Sequence, residues 1–119
     1  LWPGDVVELF LGPGKDAVAY FHVAVNAGSA IFDSADGDDV DWNSDADAVV
    51  GRGDDRWWAA LRVDHDSLAA SPKPGDSWRV NFCRSHRSRP PMAWSPTGGG
   101  FHNPDRFGVL EFSEQGIKR

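Results

Sequence analysis

The feature that most constrains this chain is a series of short segments in which apolar and polar residues alternate with a period of two. Such alternation is typical of half-buried β-strands, because successive side chains of a strand point to opposite faces. Stretches rich in Gly, Pro and Asp interrupt the segments as turns. The pattern therefore predicts an all-β fold, an antiparallel β-sandwich with at most one helical turn.

The boundaries of the elements follow from where the alternation starts and stops. Strands are predicted over Asp5–Leu11, Val18–Asn26, Ser29–Asp33, Asp47–Gly51, Arg56–Val63, Ser77–Arg84 and Phe107–Phe112, and one helical turn over Asp64–Ala70. The first two strands form a predicted hairpin, and so do the fourth and fifth. The remaining segment, Ser85–Asp105, has no regular period and is a predicted loop. Loops of this length in compact domains are usually functional, so it is a candidate part of a site.

The first predicted hairpin brings together polar and aromatic residues on one face. If Val7 faces the core of the sandwich, strict alternation places Glu8 and His22 together on the opposite face of the sheet. Phe10 and Tyr20 lie near them in the same arrangement. Polar groups framed by aromatic rings are typical of a ligand-binding face.

Composition excludes several classes of function. The 119 residues are enough for one domain. Their six Trp suggest a ligand-binding surface, because Trp combines a large apolar area with a polar N–H group. A net charge of −6 argues against binding to nucleic acid, which needs a basic face. No apolar run is long enough to insert into a membrane. The single Cys83 cannot form an internal disulfide, and no Cys/His spacing predicts a zinc site.

Motifs near both ends of the chain carry a family resemblance. Residues 2–10, WPGDVVELF, fit the pattern W-x-x-D-x-V-E-(aliphatic)-F. Residues 94–97, WSPT, are followed by FHNPDRFGVL at 101–110, which fits aromatic-x-x-P-x-x-F-G-x-L. Between these motifs, residues 78–84 are similar to a penultimate strand. In this order the motifs resemble carbohydrate-binding module family 9 and its relatives in the DOMON-like sandwich group.

The resemblance implies the fold and the class of function. Residues 1–119 correspond to a single domain, the C-terminal two-thirds of a family 9-type module with an immunoglobulin-like antiparallel β-sandwich. The N-terminal third of the family is absent from this sequence. Modules of this kind are not enzymes: they bind plant polysaccharides such as xylan, cellulose or other β-glucans. The expected location is extracellular or periplasmic, with neighbouring domains linked covalently.

The resemblance also implies which residues hold the sugar. Trp2 and Phe101 match the two aromatic positions that clamp the sugar ring, and Glu8 matches a hydroxyl-binding glutamate. His22 lies near a position where an arginine occurs in the family. Each residue also has a structural interpretation: Trp2 as a cover at the end of the sandwich, Glu8 as a solvated charge and His22 as a hydrogen-bonded structural histidine.

Other hypotheses remain beside sugar binding. No cofactor is required, but the acidic stretch 33–47 offers oxygen ligands suited to structural calcium, with a solvated loop as the alternative interpretation. Some sandwiches of the DOMON-like group bind haem, for which His86, Met92 and His102 are the candidate ligands. A structural or interaction sandwich with a decayed sugar site is the third hypothesis. No nucleophile elbow or paired catalytic carboxylates indicate an enzyme.

Overall fold

The computed structural model describes residues 4–14, 19–68 and 70–114. The strands are β1 (Val6–Gly12), β2 (Phe21–Asn26), β3 (Ile31–Ala35), β4 (Asp47–Arg52), β5 (Trp57–Arg62), β6 (Ser77–Ser85), β7 (Met92–Ala93) and β8 (Gly108–Glu111). Two 3-10 helices cover His65–Leu68 and Pro104–Arg106. The predicted all-β antiparallel fold is confirmed. Across the described ranges, neither helix has the length or apolar character needed to cross a lipid bilayer.

The main layer is a six-stranded antiparallel sheet in the order β3-β2-β1-β6-β7, in which β8 also pairs with β6. The predicted hairpin of β1 and β2 is confirmed, with Phe10 opposite His22 and Glu8 opposite Ala24. Because residues directly opposite each other in an antiparallel pair share a face, Glu8, Phe10 and His22 lie on one side of the sheet. Val7 and Leu9 lie on the other.

The second predicted hairpin, formed by β4 and β5, is a separate two-stranded sheet. It faces the side of the main sheet that carries Val7 and Leu9. Further along that side a core cluster is built from Leu11, Leu68, Trp78 and Val80. Burial of such apolar side chains is the main driving force for packing on this side of the sheet.

The opposite side of the main sheet has a core cluster of its own, made by Phe10, Cys83 and Phe107. Phe101 and Tyr20 pack against its edge. Burial, with a contribution from nearby Glu8, raises the pKa of the Cys83 thiol to about 12. The thiol therefore stays protonated at neutral pH and behaves as a small apolar side chain.

The start of β2 differs from the prediction. The alternating pattern predicts a strand from Val18, which lies outside the described residues; Ala19 and Tyr20 are described but are not part of the strand, and β2 begins at Phe21. Tyr20 pairs instead with the turn after β3: its N–H donates to Asp36 Oδ1 at 3.0 Å, and its carbonyl accepts from the Asp36 N–H at 2.8 Å. The backbone of Tyr20 is thus hydrogen-bonded outside the strand ladder, and β2 starts at the next residue, Phe21.

The predicted loop 85–105 is more ordered than its sequence indicates. It contains β7, which pairs with β6, and the first residues of the second 3-10 helix. The buried Asn81 holds it in place, because the Asn81 amide donates to the Ser95 carbonyl and accepts from the Ser95 N–H, both at 2.9 Å. The segment therefore crosses the face of the sheet that carries Phe10.

Candidate functional site

A cavity of about 320 Å³ lies on the side of the main sheet that carries Glu8 and His22. Its lining side chains come from four strands and the loop before β8: Glu8, His22, Ser34, Ser85, Phe101 and His102. We call it the polar cavity. Its volume is at the lower end of the range for small-molecule sites, about 300–1,000 Å³.

Three of the four residues predicted for sugar binding meet at the polar cavity. Glu8 and His22 lie on its floor, and Phe101 forms part of its wall. The fourth, Trp2, lies outside the described residues. The juxtaposition of Glu8 and His22 follows from the strand alternation, whereas the position of Phe101 follows from the path of the loop after β6.

Glu8 is the centre of a buried hydrogen-bond network. Its Oε1 lies 2.8 Å from His22 Nε2, and its Oε2 accepts from the Ser85 hydroxyl at 2.9 Å. Only 6% of the Glu8 surface and 3% of the His22 surface are exposed. The interpretation of Glu8 as a solvated charge is therefore wrong. A buried carboxylate needs such partners because its desolvation is costly.

Aromatic contacts fix the orientation of His22. Its ring stacks on that of Phe10 with a centroid distance of 4.2 Å and an angle of 6° between the planes. The ring of His102 meets it edge to face at 5.0 Å. Phe10 thus contacts the face of the His22 ring, and Glu8 contacts its edge at Nε2. This geometry fits the interpretation of His22 as a hydrogen-bonded structural histidine. It is also compatible with a ligand contact, because His22 lines the polar cavity.

Gly37 allows the wall of the polar cavity to close around Tyr20. Its φ of +87° lies in the left-handed region that favours glycine. A Cβ at this position would also lie 2.6 Å from the Tyr20 hydroxyl and 3.4 Å from His102 Nδ1. The close approach lets the Tyr20 hydroxyl and His102 Nδ1 form a hydrogen bond of 2.9 Å.

The environment of this pair keeps both side chains neutral. Burial raises the pKa of the Tyr20 phenol, and the nearby charges of Asp36 and Asp38 raise it further. Desolvation lowers the pKa of the His102 imidazole, as does His22, while Glu8 opposes the shift. In the tautomer of neutral His102 that carries its proton on Nε2, Nδ1 accepts the hydrogen bond from the Tyr20 O–H.

The lowered pKa of His102 predicts a specific pH dependence of stability. Because the unfolded chain takes up a proton near pH 6.5 and the folded protein only at lower pH, stability falls as the pH drops from about 6.5 through the pKa of the folded state. Above pH 6.5 this contribution is complete. Urea denaturation between pH 5 and 7 is expected to give a smaller pH slope for His102→Gln than for the parent. Equal slopes would contradict the assignment.

A larger cavity, of about 590 Å³, lies on the other side of the sheet and is mainly apolar. We call it the apolar cleft; its lining includes Val7, Leu9, Leu61, Phe82, Met92 and Trp94. The lining of the apolar cleft includes one basic residue, Arg84. It also includes Glu8, but the Glu8 carboxylate is bonded to His22 and Ser85 on the opposite face of the sheet. A sugar needs several fixed polar partners as well as an aromatic platform, and the polar cavity meets that need better.

The residues proposed as haem ligands lie apart. Met92 borders the apolar cleft, whereas His102 lines the polar cavity on the opposite side of the sheet. His86 contacts Asp5, with 3.5 Å between Nε2 and Oδ1. A pair of axial ligands must face each other across one cavity, and these side chains do not.

The acidic stretch 33–47 uses several of its carboxylates within the protein. Asp33 Oδ2 accepts from both the N–H and the hydroxyl of Ser44, and Asp36 Oδ1 accepts from the Tyr20 N–H. Within residues 4–14, 19–68 and 70–114, no three His, Cys, Asp or Glu side chains are grouped so that they could hold a metal ion. The stretch therefore forms internal hydrogen bonds through Asp33 and Asp36, and structural calcium stays a prediction.

Comparison with known proteins bears on the fold. No family model and no curated protein sequence matches the chain. Among solved structures, the chain is similar to a candidate carbohydrate-binding protein from Bacteroides uniformis, with a TM-score of 0.62 and 20% sequence identity. The two chains share a fold. The similarity covers 91% of this chain and 61% of that one, so the chain spans less than two-thirds of its structural neighbour.

Ser34 is a residue of the polar cavity that the sequence does not predict. The predicted third strand ends at Asp33, but β3 continues to Ala35. Ser34 stands opposite His22 in the β2–β3 pair and faces the cavity with it. Phe32 and Ser34 alternate with Asp33, which lies on the other face of the sheet, and this alternation is the signal that could have extended the strand.

Proposed function

We propose that this chain is a non-catalytic carbohydrate-binding domain and that the polar cavity is its sugar site. The observation that carries the proposal is the meeting of Glu8, His22 and Phe101 at one cavity. These residues lie in separate parts of the sequence. The motif resemblance matches Glu8 and Phe101 to sugar-binding positions, and His22 lies near a third. A fold shared with a candidate carbohydrate-binding protein supports the proposal.

The chemistry of the polar cavity suits a sugar ring. A sugar presents an apolar face of C–H groups and a rim of hydroxyls, so it needs an aromatic surface together with fixed polar groups. Phe101 offers the first and is half-buried, with its ring supported by Phe10 at a centroid distance of 6.4 Å. Glu8 offers the second, and a hydrogen bond from a ligand hydroxyl to its carboxylate is charge-assisted.

The finer details of the function are part of the same proposal. We propose that Trp2 supplies the second aromatic surface, facing Phe101 across the bound ring. We further propose plant polysaccharides such as xylan or β-glucan as ligands, bound without a cofactor. The setting would be an extracellular or periplasmic protein in which this domain is linked to others.

Affinity electrophoresis in gels that contain xylan or a soluble β-glucan tests the proposal. The parent is expected to be retarded in at least one gel, and Trp2→Ala and Phe101→Ala to migrate faster there, because each loses stacking area. Trp58→Ala is a matched control: Trp58 lies on β5, is 54% exposed and does not line the polar cavity. Equal migration of the parent, Trp2→Ala and Phe101→Ala in every gel would overturn the proposal.

A further inference from the structure

Ser34 has an unusual environment for a serine. Only 1% of its surface is exposed, and its hydroxyl has no hydrogen-bond partner within the described part of the chain. Buried hydroxyls in folded proteins almost always have a partner, because losing water without replacement is unfavourable. Ser34 lines the polar cavity, so a bound ligand could reach its hydroxyl.

A ligand hydroxyl would complement Ser34 well. The serine hydroxyl can donate one hydrogen bond and accept others, and a sugar hydroxyl has the same capacity. On the floor of the cavity, each Glu8 oxygen already contacts a protein side chain, His22 or Ser85. The Ser34 hydroxyl is thus a polar group of the floor that is still without a hydrogen bond from the described residues.

The charges around the polar cavity favour a neutral ligand. Glu8 is buried in its floor, and Gly37 in its wall is flanked by Asp36 and Asp38. None of the described residues that line it is Lys or Arg. A carboxylate on the ligand would be placed near these like charges in a partly desolvated site, where repulsion is stronger than in water.

We infer that Ser34 is a ligand-contacting residue that hydrogen-bonds a hydroxyl of a neutral sugar, and that the polar cavity selects neutral sugars against the corresponding uronic acids. The inference rests on the proposed function and deepens it by naming the contact and the class of sugar.

Isothermal titration of the full chain with defined sugars tests the inference. The probes are glucose, xylose, galactose, cellobiose and xylobiose, with glucuronate and galacturonate as acidic counterparts. We expect each neutral hexose that binds to do so at least about tenfold more tightly than its uronate. We expect Ser34→Ala to weaken neutral-sugar binding about five- to tenfold, the usual effect of one hydrogen bond.

The stability of the variant separates a binding role from a structural one. Ser34→Ala removes a hydroxyl that has no hydrogen-bond partner among residues 4–14, 19–68 and 70–114, so the melting temperature of the variant is expected to match or exceed that of the parent. Ser44→Ala is the matched control: Ser44 is also 1% exposed, but its hydroxyl donates to Asp33 at 2.7 Å and accepts from the Ala46 N–H at 3.1 Å. It is expected to lose stability and keep its affinity for sugar.

Each outcome of the titration has one meaning. If the parent binds none of the sugars, the proposed function fails and the inference falls with it. If the parent binds and Ser34→Ala binds equally well, the Ser34 contact is overturned while the proposed function stands. Loss of stability together with affinity in Ser34→Ala shows a structural role and overturns the contact. Equal affinity for a neutral hexose and its uronate overturns the charge selection.

Discussion

Replacing Phe10 with alanine is expected to lower the free energy of unfolding by about 3 to 5 kcal/mol. The side chain is completely buried, and its ring lies against those of His22, at 4.2 Å, and Phe107, at 5.6 Å. Truncation at Cβ would remove the contacts of both rings and leave a void that rigid neighbouring strands cannot close. Urea denaturation followed by tryptophan fluorescence measures the change.

Phe82→Ala is the matched control for this experiment. Phe82 lies on the neighbouring strand β6 but is 52% exposed at the apolar cleft, so the same truncation removes far less buried surface. Its cost is expected to be less than half that of Phe10→Ala. A similar cost for the two variants would show that the cluster around Phe10 is not a tightly packed core. We expect Phe10→Ala also to weaken sugar binding, because Phe10 supports both His22 and Phe101.

Replacing His22 with alanine is expected to cost about 3 kcal/mol or more. The change leaves Glu8 Oε1 buried without the His22 nitrogen that lies 2.8 Å from it, and a buried carboxylate cannot easily recover the lost hydrogen bond from water. A double-mutant cycle with Glu8→Ala measures the coupling between the two side chains by chemical denaturation. A coupling of about 1 to 3 kcal/mol is expected for such a buried pair.

Glu8→Gln separates the charge of this residue from its shape. The amide can still accept from His22 and reach Ser85, so most of the stability is expected to remain, whereas the charge-assisted bond to a ligand hydroxyl is lost. Sugar affinity is therefore expected to fall more steeply than stability.

The double-mutant cycle has its own contradicting outcome. If the costs of His22→Ala and Glu8→Ala are additive, the 2.8 Å contact between the two side chains contributes nothing to the stability of the folded state.

Much of the fold could be predicted because β-strands impose a local rule on the sequence. Period-two alternation predicts β1 and β6 to within one residue and the placement of Glu8 and His22 on one face. Turn composition predicts the hairpin of β4 and β5. These features depend only on neighbours along the chain, so a single sequence contains them.

The remaining features depend on contacts between distant residues. The bonds from Asn81 to Ser95 order a segment whose own sequence shows no period. That segment covers the face of the sheet that carries Glu8. Alternation therefore predicts on which face Glu8 lies, but not that Glu8 is buried. Ser34 was missed because β3 continues for two residues beyond Asp33, and Asp is a residue type typical of turns.

Successive residues of β1 serve different cavities: Val7 and Leu9 border the apolar cleft, while Glu8 lines the polar cavity and Phe10 supports it. A one-residue insertion in this strand would exchange the two sets, placing the carboxylate in apolar surroundings and aliphatic groups among the polar partners. Related chains are therefore expected to vary in length in the turns but never within β1. Deep insertion scanning would show tolerance that stops abruptly at Val6 and resumes after Gly12.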